Sequence, residues 1–371
     1  MHPVLRILRH AALAAAFAAM LPGCATTDQP PAAATPSLAQ AYRGSFLIGA
    51  AVEPSQLETP EGRLLAAQFN SVVAENAMKP SRIQPRENEF NFAPADAIVD
   101  FARQHGMAVR GHTLLWYKRT PDWFWTGQDG KPASRELVLS RLQRHIEAVM
   151  GRYRASVRVW DVVNEVIDAA EPDCLRQGPW LQVVGPDYID WAFRYAHAAD
   201  PDARLIINDY STTQPAKRAC LRRVVQGLLD RGVPVHGVGH QMHISIFEPS
   251  AAEVDETLSV FARLGLENQV TEMDLSLYRR HAYLLPDSAE RLLAMQGRRQ
   301  EELMTVFLAH PELTSVTWWG ISDAHTARNS GWDWWRSDQP LLFDDRQAPK
   351  PAYWGALKAA GQARPAAGPA K

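Results

Sequence analysis

Val157-Arg158-Val159-Trp160-Asp161-Val162-Val163-Asn164-Glu165 is an apolar, β-branched run that ends on a carboxylate. Gln269-Val270-Thr271-Glu272-Met273-Asp274 repeats the pattern later in the chain. Such runs form strands buried on both faces, as in parallel sheets covered by helices. A carboxylate there must reach an exposed strand end or be costly. Outward from these two lie six more strand candidates: Phe46–Val52, Ser71–Glu75, Ala108–Trp116, Arg204–Asn208, Val235–Met242 and Ser315–Trp319. Amphipathic stretches separate them, at Ala95–His105, Ser134–Tyr153, Asp187–Ala199, Ala216–Arg231, Glu253–Leu264 and Ser288–Ala309. Thr59-Pro60-Glu61 and Gly185-Pro186-Asp187 read as helix starts, with proline near the first turn. Strand–helix alternation implies parallel strands and right-handed crossovers, and eight such units predict an α/β fold, a (β/α)8 TIM barrel in one domain.

Polar residues gather at the C-terminal ends of these runs: Asn76, His112, Asn164 with Glu165, Asn208 with Asp209, Gln241 with His243, and Glu272 with Asp274. Trp319 ends the last run. In a TIM barrel that rim carries the active site. Two carboxylates facing one pocket are what glycosidic bond cleavage needs. The 371 residues carry a formal net charge of −2, without the basic surplus of a nucleic-acid binder or an acidic tail. His112, His240 and His243 show no zinc-site spacing, and no glycine-rich phosphate loop or Gly-x-Ser-x-Gly elbow is present, so neither metal nor cofactor is expected.

Seven segments, in order, resemble signatures of glycoside hydrolase family 10, the xylanase family. They are Glu75-Asn76-Ala77-Met78-Lys79, Arg110-Gly111-His112-Thr113-Leu114-Leu115-Trp116, Trp160-Asp161-Val162-Val163-Asn164-Glu165, Asn208-Asp209-Tyr210, Gly239-His240-Gln241-Met242-His243, Thr271-Glu272-Met273-Asp274 and Trp319-Gly320. The resemblance covers about residues 44 to 358. It implies a retaining endo-β-1,4-xylanase in which Glu165 is the acid/base and Glu272 the nucleophile. Retention requires the carboxyl groups about 5–5.5 Å apart. The mechanism asks Glu165 to carry a proton and Glu272 to stay ionised, so their surroundings must differ. The resemblance makes His243 a donor to Glu272, with Asp274 orienting the imidazole.

The resemblance further implies that Asn164 bonds the 2-hydroxyl beside the cleaved bond and that Gln241 sits near Glu272. Glu75, Asn76, Lys79 and His112 match groups that hold glycone hydroxyls. Asn208 and Tyr210 match a motif whose contacts lie toward the leaving group, and Asp209 is either part of that set or a structural partner. Trp116 and Trp319 match rings that pack on the sugar. Trp123, Trp125, Trp332, Trp334 and Trp335 either extend the cleft or pack a core, whereas Trp160 and Trp191 read as structural.

The chain departs from the family pattern after Trp116, where Tyr117-Lys118-Arg119 replaces His-x-Gln. Ala327 stands where the family carries a second cleft tryptophan, followed by a charged and aromatic loop from Arg328 to Arg336. Arg119 is therefore a candidate substrate-binding residue, suited to a carboxylate such as a glucuronic acid branch, or else an arginine paired with a nearby aspartate. The departures leave room for a β-1,4-glucanase, a saponin-deglycosylating enzyme or a transglycosylase. A non-catalytic surface sugar-binding protein is a further alternative, opposed by Glu165, Glu272, His243 and Asp274.

Arg6, Arg9 and His10 precede the apolar stretch Ala11 to Leu21, which reads as an export signal. Leu21-Pro22-Gly23-Cys24 resembles a lipoprotein box, making Cys24 the lipidation candidate in residues 1–24. Ala25 follows the cysteine, which by resemblance to the Gram-negative sorting rule favours the outer membrane; a plain secretory signal is the other reading. Residues 25–40 read as a flexible linker, 41–360 as the catalytic domain, and 361–371 as a disordered tail. The expected partner is xylan or xylo-oligosaccharide, with no nucleic acid, membrane contact only through the anchor, and a monomeric state. Cys174 and Cys220 form a disulfide or remain two thiols.

Overall fold

Parallel strands with a helix after nearly every one wind around a common axis in the computed structural model, which describes residues 35–279, 287–329 and 337–362. The strands are β1 (Leu47–Val52), β2 (Ser71–Ala74), β3 (Ala108–Trp116), β4 (Val157–Asn164), β5 (Arg204–Asp209), β6 (Gly237–His240), β7 (His243–Ser245), β8 (Glu267–Ser276) and β9 (Leu313–Trp318). Each pairs in parallel with its neighbour in the order β6-β5-β4-β3-β2-β1-β9-β8-β7, and β6 also pairs with β8. That last ladder closes an eight-stranded barrel, with β7 a short extension along β8. The TIM barrel expected from the alternating pattern is the fold observed.

Serine or threonine caps start several helices, Thr59 among them, whereas the helix after Gly185-Pro186 starts at Tyr188 with no side-chain cap. Ser134 accepts from Leu137 N at 3.3 Å, and Ser250 forms a reciprocal capping box with Glu253. Along β1, Ile48, Ala50 and Val52 pack into the main core, whereas Ala51 joins Val73 and Trp319 in a separate cluster. This period of two assigns one face to the helices and the other to the barrel interior. The interior also holds buried polar groups. Arg110 Nε on β3 donates to Gln269 Oε1 on β8 at 2.9 Å, across strands that are not neighbours, and Arg110 also holds Asp161 with both terminal nitrogens.

Three expectations are corrected. The run Val235–Met242 is not one strand: Met242 takes a left-handed φ of 57°, which ends β6 and starts β7 on a new path. The segment from Pro36 is not linker, because Ser37 caps a one-turn helix (Leu38–Ala41), Leu38 is fully buried and Leu38 N donates to Gln68 Oε1 at 3.1 Å. The C-terminal helix Pro351–Gln362 runs past residue 360. Cys174 and Cys220 form a disulfide with Cα atoms 5.3 Å apart, tying the loop after β4 to the helix Pro215–Asp230. Cys24, Trp332, Trp334 and Trp335 lie outside the described residues, as do the signal segment and most of the linker and tail.

Candidate active site

Backbone geometry first decides where the two glutamates point. β4 ends at Asn164, and Glu165 follows with a φ of 57°. A side chain with a branched or long stem in the left-handed region costs about 1 kcal/mol or more, so surrounding contacts must hold it. Glu165 N donates to Asn208 O at 2.9 Å, and Arg176 Nε donates to Glu165 O at 2.7 Å. Glu272 instead lies within β8, its amide donating to Gln241 O at 3.1 Å. Both carboxylates line one cavity of about 890 Å³ at the C-terminal rim.

The Glu272 carboxylate is 5% exposed and receives two donors. His243 Nε2 lies 3.1 Å from Oε2, and Asn208 Nδ2 donates to Oε1 at 2.8 Å. His243 Nδ1 in turn meets Asp274 Oδ2 at 2.7 Å, and Arg328 Nε donates to Asp274 Oδ1 at 3.0 Å. Burial pushes Glu272 up, but the His243 hydrogen bond, the His112 and His243 charges and the Asn208 hydrogen bond outweigh it and hold the carboxyl at about 2. Burial likewise opposes charge on His243, yet Asp274 and Glu272 raise the imidazole to about 9. Asp274, buried but facing Arg328 and His243, stays at about 2. At neutral pH the row is therefore carboxylate, imidazolium, carboxylate.

This row predicts a pH dependence of stability. A raised histidine contributes stability in full below its ordinary value of 6.5, and loses it as pH rises through about 9. The two lowered carboxylates lose theirs only as pH falls toward 2. Urea midpoints should decline between pH 6.5 and 9, by the equivalent of roughly 3 kcal/mol at most. His243→Gln should be less stable at pH 6 and nearly flat across that window; an unchanged slope would refute the assignment.

Glu165 has a different surrounding. Gln241 Nε2 reaches its Oε1 at 3.4 Å, and Lys118 Nζ reaches its Oε2 at 3.1 Å. Asn164 Oδ1 accepts from Asn208 Nδ2 at 2.9 Å and from Gln241 Nε2 at 3.4 Å, leaving its own NH2 without a hydrogen bond among the described residues. Asn208 thus reaches both Glu272 and Asn164, and Thr271 Oγ1 fixes its amide by donating to Oδ1 at 2.7 Å. Gly239 makes room for it, since a Cβ there would meet Asn208 Oδ1 at 2.3 Å. Asn208 is fully buried and hydrogen-bonded to the nucleophile, so the cavity wall here is Tyr210, just past the end of β5, and not Asn208. Asn208→Ala should lower kcat about 10–100-fold with little change in KM, as one charge-assisted bond to Glu272 is lost; an equal rise in KM would make it a substrate-binding residue instead.

Asp209 is a structural partner. It is fully buried, accepts from Ile167 N and Tyr210 N at 2.9 Å each, and pairs with Lys217 Nζ at 2.8 Å. Lys79, His112, Trp116 and Trp319 line the cavity with Asn164, Tyr210, Gln241 and His243. His112 is braced by Asp161 Oδ2 at 2.8 Å and meets Trp319 edge-on, with centroids 5.4 Å apart. Lys79 Nζ stands 5.1 Å from the Trp116 ring centroid and donates to Asn76 Oδ1 at 2.9 Å. Asn76 also donates to Glu53 and to Glu75. Burial and then the Glu53 charge raise Glu75, and burial lowers Lys79. Glu75 and Asn76 therefore belong to a half-buried polar cluster beside Lys79, and they do not line the cavity.

Arg119 is not in the cavity wall either. Its side chain is exposed and pairs with no aspartate among the described residues, while Lys118 beside it faces Glu165. Trp123 and Trp125 pack with Phe124 and Trp180 in an aromatic cluster, with Trp125 and Trp180 centroids 4.9 Å apart. Trp160 is fully buried, whereas Trp191 is 37% exposed, stacks on Tyr195 with centroids 5.6 Å apart and donates from Nε1 to Asp187. The sequence reading missed Glu53, Lys118, Arg176 and Arg328. Glu53 had a signal, since it directly follows the last residue of β1 on the same rim.

The sequence profile described as Glycosyl hydrolase family 10 matches residues 37–359. Endo-1,4-beta-xylanase A of Halalkalibacterium halodurans is 44% identical over 352 residues, covering 88% of this chain and 87% of that protein. Endo-1,4-beta-xylanase B of Paenibacillus barcinonensis is 42% identical over 322 residues, covering 86% of this chain and 97% of that protein. The crystal structure of xylanase B from Clostridium stercorarium F9 superposes with a TM-score of 0.84 at 42% identity, covering 87% of this chain and 99% of that one.

Proposed function

We propose that this chain, which belongs to glycosyl hydrolase family 10, hydrolyses internal β-1,4-xylosidic bonds of xylan through a covalent glycosyl–enzyme intermediate. The single observation that carries the chemistry is the contrast inside one cavity. Glu272 is ionised and doubly hydrogen-bonded, while Glu165 lines the same cavity from a left-handed turn. The reaction then divides between them. A Glu272 oxygen attacks the anomeric carbon as the bond to the leaving oxygen breaks, and the Glu165 proton passes to that oxygen. Water then attacks the same carbon, Glu165 takes its proton, and Glu272 leaves as carboxylate. The unused NH2 of Asn164 suits the sugar 2-hydroxyl, and Trp116 and Trp319 offer flat faces to pyranose C–H groups. Xylan as substrate rests on the names of relatives, the two reported above being endo-1,4-beta-xylanases.

A time course of products from xylan, cellulose and mixed-linkage glucan tests this reading. Early release of mixed xylo-oligosaccharides is expected; a single short product from the outset, or faster cleavage of glucan, would overturn it. The same assay on glucuronoxylan bears on the exposed cation at Arg119: equal relative rates for wild type and Arg119→Gln on branched and unbranched xylan would remove it from specificity. Export and anchoring at Cys24 stay part of the proposal. Metabolic labelling with radioactive palmitate should mark the wild type and not Cys24→Ala, and an unlabelled wild type would leave only a secretory signal.

A further inference from the structure

We propose that Arg176 is the positioning residue that sets the Glu165 carboxyl for proton transfer to the leaving group. This rests on Glu165 being the acid/base. The Arg176 side chain is 15% exposed, and its guanidinium gathers the turn around Glu165 into one place. Nε donates to Glu165 O at 2.7 Å, and Nη2 donates to Ile167 O at 3.1 Å and to the Tyr210 hydroxyl at 2.5 Å. Nη1 lies 3.6 Å from the Asp168 carboxylate. The planar group also sits 5.0 Å from the Tyr117 ring centroid and 5.6 Å from that of Tyr210.

These contacts matter because Glu165 occupies a conformation that it does not hold alone. Its φ of 57° directs the side chain into the cavity, and a relaxed backbone would turn it away. Arg176 is itself held from three directions. Its amide donates to Val166 O at 2.9 Å, and Ile167 pairs with Leu175 in a short antiparallel bridge. Cys174 beside it is bonded to Cys220 on the helix Pro215–Asp230. From that same helix Lys217 Nζ donates to Ile167 O at 2.6 Å. The fork geometry of arginine satisfies two carbonyls and a hydroxyl at once, which lysine cannot do. A shift of about 1 Å in a positioned acid costs on the order of 10²-fold in rate.

The role makes a signature that a merely structural arginine does not. A poor leaving group needs the proton from Glu165, whereas dinitrophenolate departs without it. The test compares kcat/KM on xylohexaose and on 2,4-dinitrophenyl β-xylobioside for wild type, Arg176→Met, Arg176→Lys and Glu165→Ala. Arg176→Met should lose about 10²-fold on xylohexaose and less than about threefold on the aryl glycoside, with KM for xylohexaose nearly unchanged. Arg176→Lys should lie between. Folding is checked by the thermal midpoint of each variant. If Arg176→Met does not fold, Arg176→Lys is judged on the same pair of substrates, where about tenfold selectivity is expected. Equal losses on both substrates, or none on either, overturn the proposal. Glu165→Ala separates the two levels. If it is itself unselective, the acid/base assignment fails; if it is selective and the arginine variants are not, only the role of Arg176 fails.

Discussion

Glu272→Ala should lower kcat/KM on xylo-oligosaccharides by about 10⁵-fold, or roughly 7 kcal/mol of transition-state stabilisation. The reason is the order of events at the anomeric carbon. Without the carboxylate no covalent intermediate forms, and water has no second base placed to attack from that side. His243 and Asn208 lose the group they support, so neither substitutes for it. The fold should survive, because Glu272 is one member of a row in which Asp274 still pairs with His243 and Arg328. Added azide should rescue cleavage of an aryl xylobioside and yield the α-azide, since azide takes the place of the missing nucleophile. A variant that retains more than about one per cent of activity, with contaminating enzyme excluded, would remove Glu272 from the reaction.

Glu165→Ala should behave differently. Its loss on xylan should be about 10³–10⁴-fold, the scale of a missing general acid, while the first step on a dinitrophenyl glycoside stays within about tenfold of wild type. Azide should again accelerate turnover, now at the glycosyl–enzyme stage, and the product should be the β-azide. The two rescues give opposite anomers, so they assign the two glutamates independently of any rate. Matching anomers from both variants would contradict the division of labour between Glu165 and Glu272.

Much of this could be read from the chain because barrel strands advertise themselves. β3 and β4 span Ala108–Trp116 and Val157–Asn164, the limits that their apolar runs imply. Polar residues at strand ends stand out against such runs, which is why Glu165, His243 and Glu272 were visible together. What stayed hidden depends on contacts distant in sequence. The left-handed Met242 that divides β6 from β7 has no local signal, since methionine favours no such conformation. Arg176 lies in a loop without periodicity, and its meaning comes only from the carbonyls that surround it. The turn Tyr117-Lys118-Arg119 announced a cation near the cleft, but which of its side chains faces Glu165 is decided by the backbone path after β3. Asn208 lay on the expected rim, yet its amide turns inward because Gly239 and Thr271 leave it that space.

The most direct measurement is the anomeric configuration of the first product. Proton NMR of xylohexaose hydrolysis, recorded within minutes of adding enzyme and before mutarotation, resolves the two anomeric signals. The β-anomer should appear first, and the α-anomer should grow only at the rate of spontaneous mutarotation. If the α-anomer appears first, the configuration is inverted, no covalent intermediate on Glu272 is formed, and Glu272 is not the nucleophile.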